Sequence, residues 1–362
     1  MSRKKIIRIT TISFSLDTLL KGQLSFLNNY YEVVGIASGK KELQKVSKRE
    51  DIRVINIPMS REISLWQDLR SLILLVALFI KERPYIVHAN TPKASLLAMV
   101  AAWVTRVPYR IYTVTGLRFE TAIGNFRKLL IAMEKITCWC ATKVIPEGEG
   151  VKKALIREKI TNRPLRVILN GNINGIDTQH YDRTTLVNLL ASEIREKDKF
   201  TFCFVGRLVR DKGINELVFA FVRLYEQNVG VRLILVGPFE KELDPVLPET
   251  EWQILNHTAI SFVGFQQDIR PYLAASDALA FPSYREGFPN VVLQAGAMGL
   301  PSIVTDINGC NEIIEDGVNG VIVPPRDEEA LYNAMKYFVE HRDTDVRAMA
   351  ERARPIIVDR FE

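Results

Sequence analysis

Cysteine and long apolar runs are both scarce in this sequence. Only 4 of the 362 residues are cysteine, and they form neither a CxxC pair nor a cluster with histidine at zinc-ligand spacing. This pattern favours free thiols in a reducing compartment over a disulfide framework or a zinc site. The longest apolar runs, at residues 72–80 and 96–104, are far shorter than the roughly 20 residues that a membrane-spanning helix needs.

Several sequence signals of localisation and nucleotide binding are also missing. The N-terminus carries no apolar core that leads to a small-residue cleavage site, so we expect a cytoplasmic protein. No GxGxxG string follows the first predicted strand, and there is no Walker A loop. The charge balance is modest, with 48 Lys and Arg against 42 Asp and Glu. That surplus suits an anionic partner, but without a recognition helix it disfavours nucleic acid.

What the sequence does contain is a repeated strand–helix alternation. Hydrophobic residues make up 47% and charged residues 25%, which is typical of globular chains. Alternation runs to about residue 145, stops in an Asn- and Gly-rich segment at 169–182, and resumes at 200. We therefore predict an α/β protein with two tandem Rossmann-like, doubly wound domains, residues 1–168 and 183–362, and a ligand cleft between them.

The first string that indicates chemistry is FVGRLVRDKG, at residues 204–213. A buried strand ends in this string, and Arg207 and Lys212 flank the turn before the next predicted helix. Two cations beside a helix N-terminus favour phosphate binding. The alternative is a solvated basic loop.

The second string is FPSYREGFPNVVLQAGAMG, at residues 281–299. It predicts a strand, a turn that contains Glu286, and a helix in which Gln294 lies one turn from the start. Both side chains could then face one ligand; the alternative is a capped helix with an exposed glutamate. The backbone amides predicted to bind an anion or sugar oxygens belong to Gly287, Phe288 and Asn290.

These two strings, with PSIVTDINGCNEIIEDGVNG at residues 301–320, resemble the donor half of retaining glycosyltransferases of family four, which have the GT-B fold. The family signature is a glutamate, seven residues and a second glutamate. Glu286 matches the first position, whereas Gln294 replaces the second, whose carboxylate in the family binds the ribose hydroxyls. The resemblance implies a nucleotide-sugar co-substrate, UDP-linked, and neither metal nor another cofactor. The glutamine leaves donor affinity and nucleotide preference open.

The N-terminal half resembles the acceptor half of family-four enzymes that build lipid-linked capsule or O-antigen oligosaccharides. The resemblance rests on residues 88–120, on KGQLSFL near Lys21 and on NGNINGID in the predicted linker. It implies that Gly22, His88 and Thr115 lie on the acceptor side. Thr115 stands where many members have a histidine. His88 is a candidate substitute, with a structural hydrogen-bonding role as the alternative.

The resemblance implies transfer of an N-acetylhexosamine, with retention and without metal, to a lipid-linked saccharide in capsule or O-antigen synthesis. Arg207 and Lys212 would meet the charge of the departing diphosphate, and Glu286 would hold the sugar. Two rival functions stay open. One is a nucleotide-sugar 2-epimerase of the same fold, and the other is a non-catalytic partner subunit.

The acceptor implied by the resemblance would place the protein at the cytoplasmic face of the inner membrane. The apolar run at residues 72–80 and the basic residues of the first half could dock there, unless the run is core and the basic residues only solubilise. We interpret the DTD string at residues 343–345 as solvated surface rather than as a metal-binding DxD. The basic residues considered for docking are Arg3, Lys4, Lys5, Lys40, Lys41, Lys45, Lys48 and Arg49.

Overall fold

The chain divides into two compact units, Met1–Asn174 and Gly175–Glu362. The computed structural model describes residues 3–60, 63–228, 230–240, 242 and 244–362. Within these ranges each unit has a six-stranded sheet whose paired strands are all parallel. Helices connect the strands, so the predicted α/β class with two Rossmann-like, doubly wound domains is confirmed.

The sheet of unit 1 has the strand order β3-β2-β1-β4-β5-β6. Its strands are β1 Lys5–Ile12, β2 Glu32–Ser38, β3 Arg53–Asn56, β4 Ile86–Ala89, β5 Tyr109–Val114 and β6 Lys143–Pro146. Its helices are α1 Ser13–Leu19, α2 Gln23–Asn28, α3 Lys40–Glu50, α4 Leu65–Glu82, α5 Pro92–Val104, α6 Gly124–Cys140 and α7 Glu149–Arg157.

Two separate cores cover the two faces of this sheet. Successive side chains of a strand point to opposite faces, so Ile6 packs with α1 and α3, while Ile7 packs with α4, α5 and α6. The basic helix α3 and the apolar helix α4 therefore lie on opposite sides of the sheet. None of the helices in the described ranges has the length and apolarity needed to cross a bilayer.

One predicted element of unit 1 is wrong. The sequence predicts a single helix over residues 16–29, but the structure has α1 and α2 with a break at Gly22. Gly22 has φ +77°, a left-handed conformation that glycine adopts without steric cost. Its amide donates to the Glu50 carboxylate at 3.0 Å, which fixes the break against α3.

The sheet of unit 2 has the strand order β12-β11-β10-β7-β8-β9. Its strands are β7 Phe200–Val205, β8 Val231–Val236, β9 Ile260–Gly264, β10 Ala278–Phe281, β11 Ser302–Thr305 and β12 Gly320–Val323. Its helices are α8 Thr185–Ile194, α9 Ile214–Gln227, α10 Pro248–Asn256, α11 Arg270–Ala274, α12 Asn290–Ala297, α13 Cys310–Ile313, α14 Glu328–Glu340 and α15 Asp345–Phe361.

The loops after β7, β10 and β11 meet at the carboxyl edge of this sheet. A Cβ atom on Gly213 would collide with the backbone of Pro282, and one on Gly309 would lie 2.6 Å from the carbonyl oxygen of Gly287. Both glycines also have positive φ. Close backbone approach at Gly213 brings the strings at 204–213 and 281–299 into direct contact, and the approach at Gly309 brings the string at 301–320 against 281–299.

Candidate functional site

Lys212 and Glu286 form an ion pair across the two contacting loops of unit 2. Lys212 ends a short 3₁₀ turn before α9, and Glu286 lies between β10 and α12. The Lys212 ammonium donates to Oε1 of Glu286, which also accepts the Ser283 hydroxyl at 2.8 Å. Only 18% of the Lys212 side chain and 15% of the Glu286 side chain are exposed. The structure thus brings together two residues 74 positions apart, as the sequence predicts.

Arg207 has a different partner. It follows Gly206 at the end of β7, and its guanidinium donates to the carboxylate of Glu240 in the loop after β8. The sequence predicts that Arg207 and Lys212 form one cationic wall opposite Glu286. The described contacts give each cation a carboxylate, Glu240 for Arg207 and Glu286 for Lys212. Glu240 was missed because no motif in the sequence distinguishes it from the other acidic loop residues.

The loop after Glu286 leads into an uncapped helix. Helix α12 begins at Asn290 with Pro289 as its N-cap, and no side chain caps it. Such an N-terminus offers backbone amides and a positive dipole end to an anion. The Phe288 side chain is buried and packs on Phe361 with ring centroids 5.6 Å apart, so this side chain is not available to a ligand. Gly287 is buried as well.

Gln294 lies one turn into α12, as predicted, and is half-buried. Its amide donates to the Tyr181 hydroxyl at 2.8 Å. Burial raises the pKa of Tyr181 to about 12, so this hydroxyl stays protonated at neutral pH. The described hydrogen bond of Gln294 is thus made to Tyr181 and not to Glu286.

Three further residues surround the ion pair. Arg285 donates from Nε to Oδ2 of Asp211 at 3.0 Å, which ties the Glu286 loop to the Lys212 turn a second time. Cys310 is fully buried, and its burial and the Glu286 charge both raise the pKa of its thiol. It is therefore an inert thiol at the base of the pair. No motif in the sequence predicts any of these contacts.

In unit 1, the three residues expected on the acceptor side lie in two loops and one strand of the same sheet. Gly22 precedes α2, and Thr115 follows β5 and donates to the Asn90 carbonyl at 2.7 Å. His88 lies on β4, with Nε2 2.8 Å from the Thr113 hydroxyl. Burial, with a smaller contribution from Arg8, lowers the pKa of His88 well below its usual value. A neutral His88 bonded to Thr113 fits the structural alternative.

Three residues that the sequence interpretation missed, Arg8, Gln23 and Asn90, connect these positions. Arg8 on β1 donates from Nη1 to Oε1 of Gln23 at 2.6 Å and from Nη2 to Oδ1 of Asn90 at 3.0 Å. Gln23 follows Gly22, Asn90 is bonded to Thr115, and Arg8 is the cross-strand partner of His88. An arginine within the apolar string IIRITT is the signal that could have identified this cluster.

The DTD string lies at the start of α15. The Asp343 side chain is 87% exposed, and Asp345 accepts a hydrogen bond from the Tyr337 hydroxyl. Among the described residues, no three His, Cys, Asp or Glu side chains are grouped so that they could hold a metal ion.

Comparison with known proteins places both units in described sequence families. The family model described as "Glycosyl transferases group 1" matches residues 199–341, and the one described as "Glycosyl transferase 4-like domain" matches residues 29–171. These two ranges correspond to most of unit 2 and most of unit 1.

Two curated relatives span most of the chain. The capsular polysaccharide biosynthesis glycosyltransferase CapM of Staphylococcus aureus is 34% identical over 336 residues, which cover 91% of this chain and 86% of CapM. The UDP-Gal:alpha-D-GlcNAc-diphosphoundecaprenol alpha-1,3-galactosyltransferase of Escherichia coli is 30% identical over 319 residues, which cover 86% of this chain and 81% of that enzyme.

Among solved structures, Alr3699/HepE of Anabaena in complex with UDP has a TM-score of 0.78 and 20% sequence identity. The match covers 99% of this chain and 96% of that chain. At this level of identity the similarity establishes the fold.

Proposed function

This chain belongs to the group 1, family-four type of glycosyltransferases, and we propose that it transfers a sugar from a nucleotide donor to a lipid-linked saccharide. Membership of this family confirms the resemblance to family-four glycosyltransferases that the sequence analysis found. The observation that carries the proposal is the Lys212–Glu286 pair beside the uncapped start of α12. A cation, a carboxylate and the positive end of a helix dipole at one sheet edge suit a ligand with an anionic part and a hydroxyl-rich part.

The donor is a nucleotide diphosphate sugar bound by unit 2. When the glycosidic bond to the donor breaks, negative charge grows on the departing diphosphate. Lys212, Arg207 and the amides of α12 would stabilise this charge without a metal ion. Glu286 would accept hydrogen bonds from the sugar hydroxyls and fix the sugar relative to the acceptor.

Family membership also supports retention of the anomeric configuration as a proposal. In that reaction the bond between the anomeric carbon and the diphosphate oxygen breaks. A bond from the acceptor oxygen forms on the same face of the sugar, and the leaving phosphate takes the acceptor proton. No side chain of the described site then needs to act as the base.

We take the donor to be UDP-linked, and from the family resemblance alone we take the transferred sugar to be an N-acetylhexosamine. The Escherichia coli relative uses UDP-Gal and a diphosphoundecaprenol acceptor by its name, and the Anabaena neighbour was solved with UDP. By the same argument the acceptor is a saccharide on a polyprenyl diphosphate, and capsular polysaccharide synthesis is its setting, as for CapM. Unit 1 would bind this acceptor.

A lipid-linked acceptor requires contact with a membrane, and unit 1 offers one suitable face. Every acidic side chain on α4, α5 and α6 is buried or paired, as Asp68 is with Lys93 and Glu82 with Arg53. Arg70, Lys81, Lys128 and Lys135 are exposed on the same helices. The exposed apolar residues of this face are Leu65, Trp66, Leu69, Ile73, Ile80, Phe126, Leu129, Ile136 and Trp139.

Apolar side chains surrounded by cations fit an anionic bilayer surface. A half-open pocket in the same face is lined by Leu96, Phe119, Leu130 and Met133, with Lys93 and Glu134 among the polar residues. The docking surface is therefore α4–α6. This corrects the sequence interpretation, which combined the apolar run with the lysines of α3 on the opposite face of the sheet.

The direct test incubates the protein with a panel of UDP-sugars and a polyprenyl diphosphate-linked N-acetylhexosamine, with product detected by mass spectrometry. We expect one added sugar and release of UDP that requires the acceptor. Release of UDP with an epimerised sugar in the absence of acceptor would identify the 2-epimerase instead. Failure to bind any nucleoside diphosphate in calorimetry would identify a non-catalytic partner subunit.

A further inference from the structure

Arg8 is a buried charged residue whose described partners are all neutral. It lies on the central strand β1 and is 2% exposed. Its hydrogen bonds go to the carboxamide oxygens of Gln23 and Asn90. In the part of the chain that the structure describes, no carboxylate forms a salt bridge with it, and burial lowers its pKa only to about 9. Arg8 therefore remains a cation at neutral pH.

The hydrogen bonding around Arg8 is incomplete, and what is missing is acceptors. Nε of Arg8 and Nδ2 of Asn90 are both buried without a hydrogen-bond partner among the described residues. Both atoms are donors. An unpaired buried donor costs free energy, and a buried charge without a counter-ion costs more. The cluster thus has a surplus of positive charge and of N–H groups at one point.

Gln23, one of the two hydrogen-bond partners of Arg8, is more exposed than Arg8 itself. Gln23 is half-buried, begins α2 directly after Gly22, and is bonded through Nε2 to the Ile173 carbonyl at 3.2 Å. Its Oε1 lies 2.6 Å from Nη1 of Arg8, where an anionic oxygen would also bind. The space beside Gly22 is open, since a Cβ there would meet nothing within 4 Å.

We propose that Arg8 is the binding residue for a substrate diphosphate in unit 1. Rotation of the Gln23 side chain would let a diphosphate oxygen replace its carboxamide oxygen on Arg8. Asn90 would supply a further N–H group through Nδ2. This inference rests on the proposed function, because both substrates of that reaction carry a diphosphate. The diphosphate of the lipid-linked acceptor and that of the nucleotide donor are the two sources.

A purely structural arginine would behave differently when a carboxylate is placed beside it. Gln23→Glu puts a counter-ion on Arg8 with almost no change in side-chain volume. If Arg8 only links β1 to α2 and to Asn90 through hydrogen bonds, the new carboxylate gives it a counter-ion, and the affinity for the ligand stays unchanged. If Arg8 binds a diphosphate, the new carboxylate neutralises the cation and competes with the ligand. The matched control is Asn29→Asp, which adds the same charge at the exposed end of α2.

The experiment measures calorimetric affinities of the full chain for farnesyl diphosphate and for UDP, with melting temperatures recorded for each variant. We expect Gln23→Glu to melt at or above the temperature of the unsubstituted protein. We also expect its affinity for one of the two ligands to fall at least tenfold. If only the affinity for farnesyl diphosphate falls, the diphosphate that Arg8 binds belongs to the acceptor. If only the affinity for UDP falls, it belongs to the donor. Asn29→Asp should change neither affinity more than twofold.

Affinities for both probes within twofold of the unsubstituted protein would overturn the role of Arg8. Such a result would leave the proposed function intact, provided that UDP still binds. If the unsubstituted protein binds neither probe, the proposed function itself fails, and the role of Arg8 fails with it.

Discussion

Lys212 and Glu286 share one hydrogen bond although 74 residues separate them in the chain. The contact exists because β7 and β10 are neighbours in the sheet and their loops approach closely at Gly213. Arg285 and Asp211 link the same two loops a second time. The spacing of cation and carboxylate is therefore fixed by backbone contacts before any ligand binds, which is the preorganisation that charge stabilisation requires.

Lys212→Ala should lower turnover by about two to three orders of magnitude, the scale of one lost charge-stabilising donor. Arg210→Ala is the matched control, because the Arg210 side chain is 64% exposed in the same turn. We expect the control to keep turnover within about threefold. Initial rates at saturating donor and acceptor measure both. Near-normal turnover of Lys212→Ala would exclude Lys212 from the reaction.

Glu240→Gln should tighten the binding of UDP. The Glu240 carboxylate pairs with Arg207 and competes with a phosphate for this guanidinium. The Arg207 side chain is 41% exposed, so the pair contributes up to about 1 kcal/mol, and removing it should raise affinity up to about fivefold. Calorimetry with UDP measures the change. Glu242→Gln, an exposed position of the same loop, should have no effect. Unchanged or weaker binding by Glu240→Gln would argue against competition.

Trp66→Ser combined with Ile73→Ser should abolish flotation with anionic vesicles, because both side chains are exposed on α4. Lys45→Ala combined with Lys48→Ala, on α3 behind the sheet, should leave flotation unchanged. Vesicles of phosphatidylglycerol and phosphatidylcholine at low and high salt provide the readout. If the α3 variant loses binding and the α4 variant keeps it, the docking surface lies on the other face of the sheet.

Glu134→Gln should stabilise the protein at alkaline pH. Burial raises the pKa of Glu134 to about 7, from an ordinary value of 4.5. A carboxyl whose pKa is higher in the folded state confers stability at low pH, and this stability is lost as the pH rises from 4.5 through 7. A neutral glutamine keeps the hydrogen bond to Tyr112 without this loss.

The melting temperature of Glu134→Gln should therefore exceed that of the unsubstituted protein only slightly at pH 5 and by roughly 5–10 °C at pH 8. Calorimetric scans at pH 5, 6, 7 and 8 measure the difference. Glu149→Gln, with a side chain that is 50% exposed on α7, should show no such pH-dependent gap. A constant difference at all four pH values would contradict a perturbed Glu134.

Much of the architecture could be predicted because its physical cause is local. Apolar β-branched runs such as IIRITT and VRLILV form buried strands, and the helices between them are long enough for parallel crossovers. Helix α3 was not predicted, since its sequence KKELQKVSKRE is mostly charged. It forms because Leu43 and Val46 pack against the sheet while the charges remain in water.

The candidate site was predicted only in part. Glu286 and Lys212 follow strands whose carboxyl ends meet at one edge, so their proximity could be inferred from the fold class. The partners of Arg207 and Gln294 could not, because Glu240 and Tyr181 lie in irregular loops whose paths depend on packing. The cluster around Arg8 was missed for a related reason. It joins β1, α2 and β4, which are up to 82 residues apart.

The amino-acid sequence alone determined the two parallel sheets, their order along the chain, the family and the loops that carry the site. These follow from short-range periodicity and turn residues, which act within a few positions. Only the tertiary structure decided which carboxylate meets which cation, which face of unit 1 is apolar, and that Arg8 is buried without a counter-ion. Those facts depend on contacts between distant segments, and their energies are set by burial rather than by local sequence.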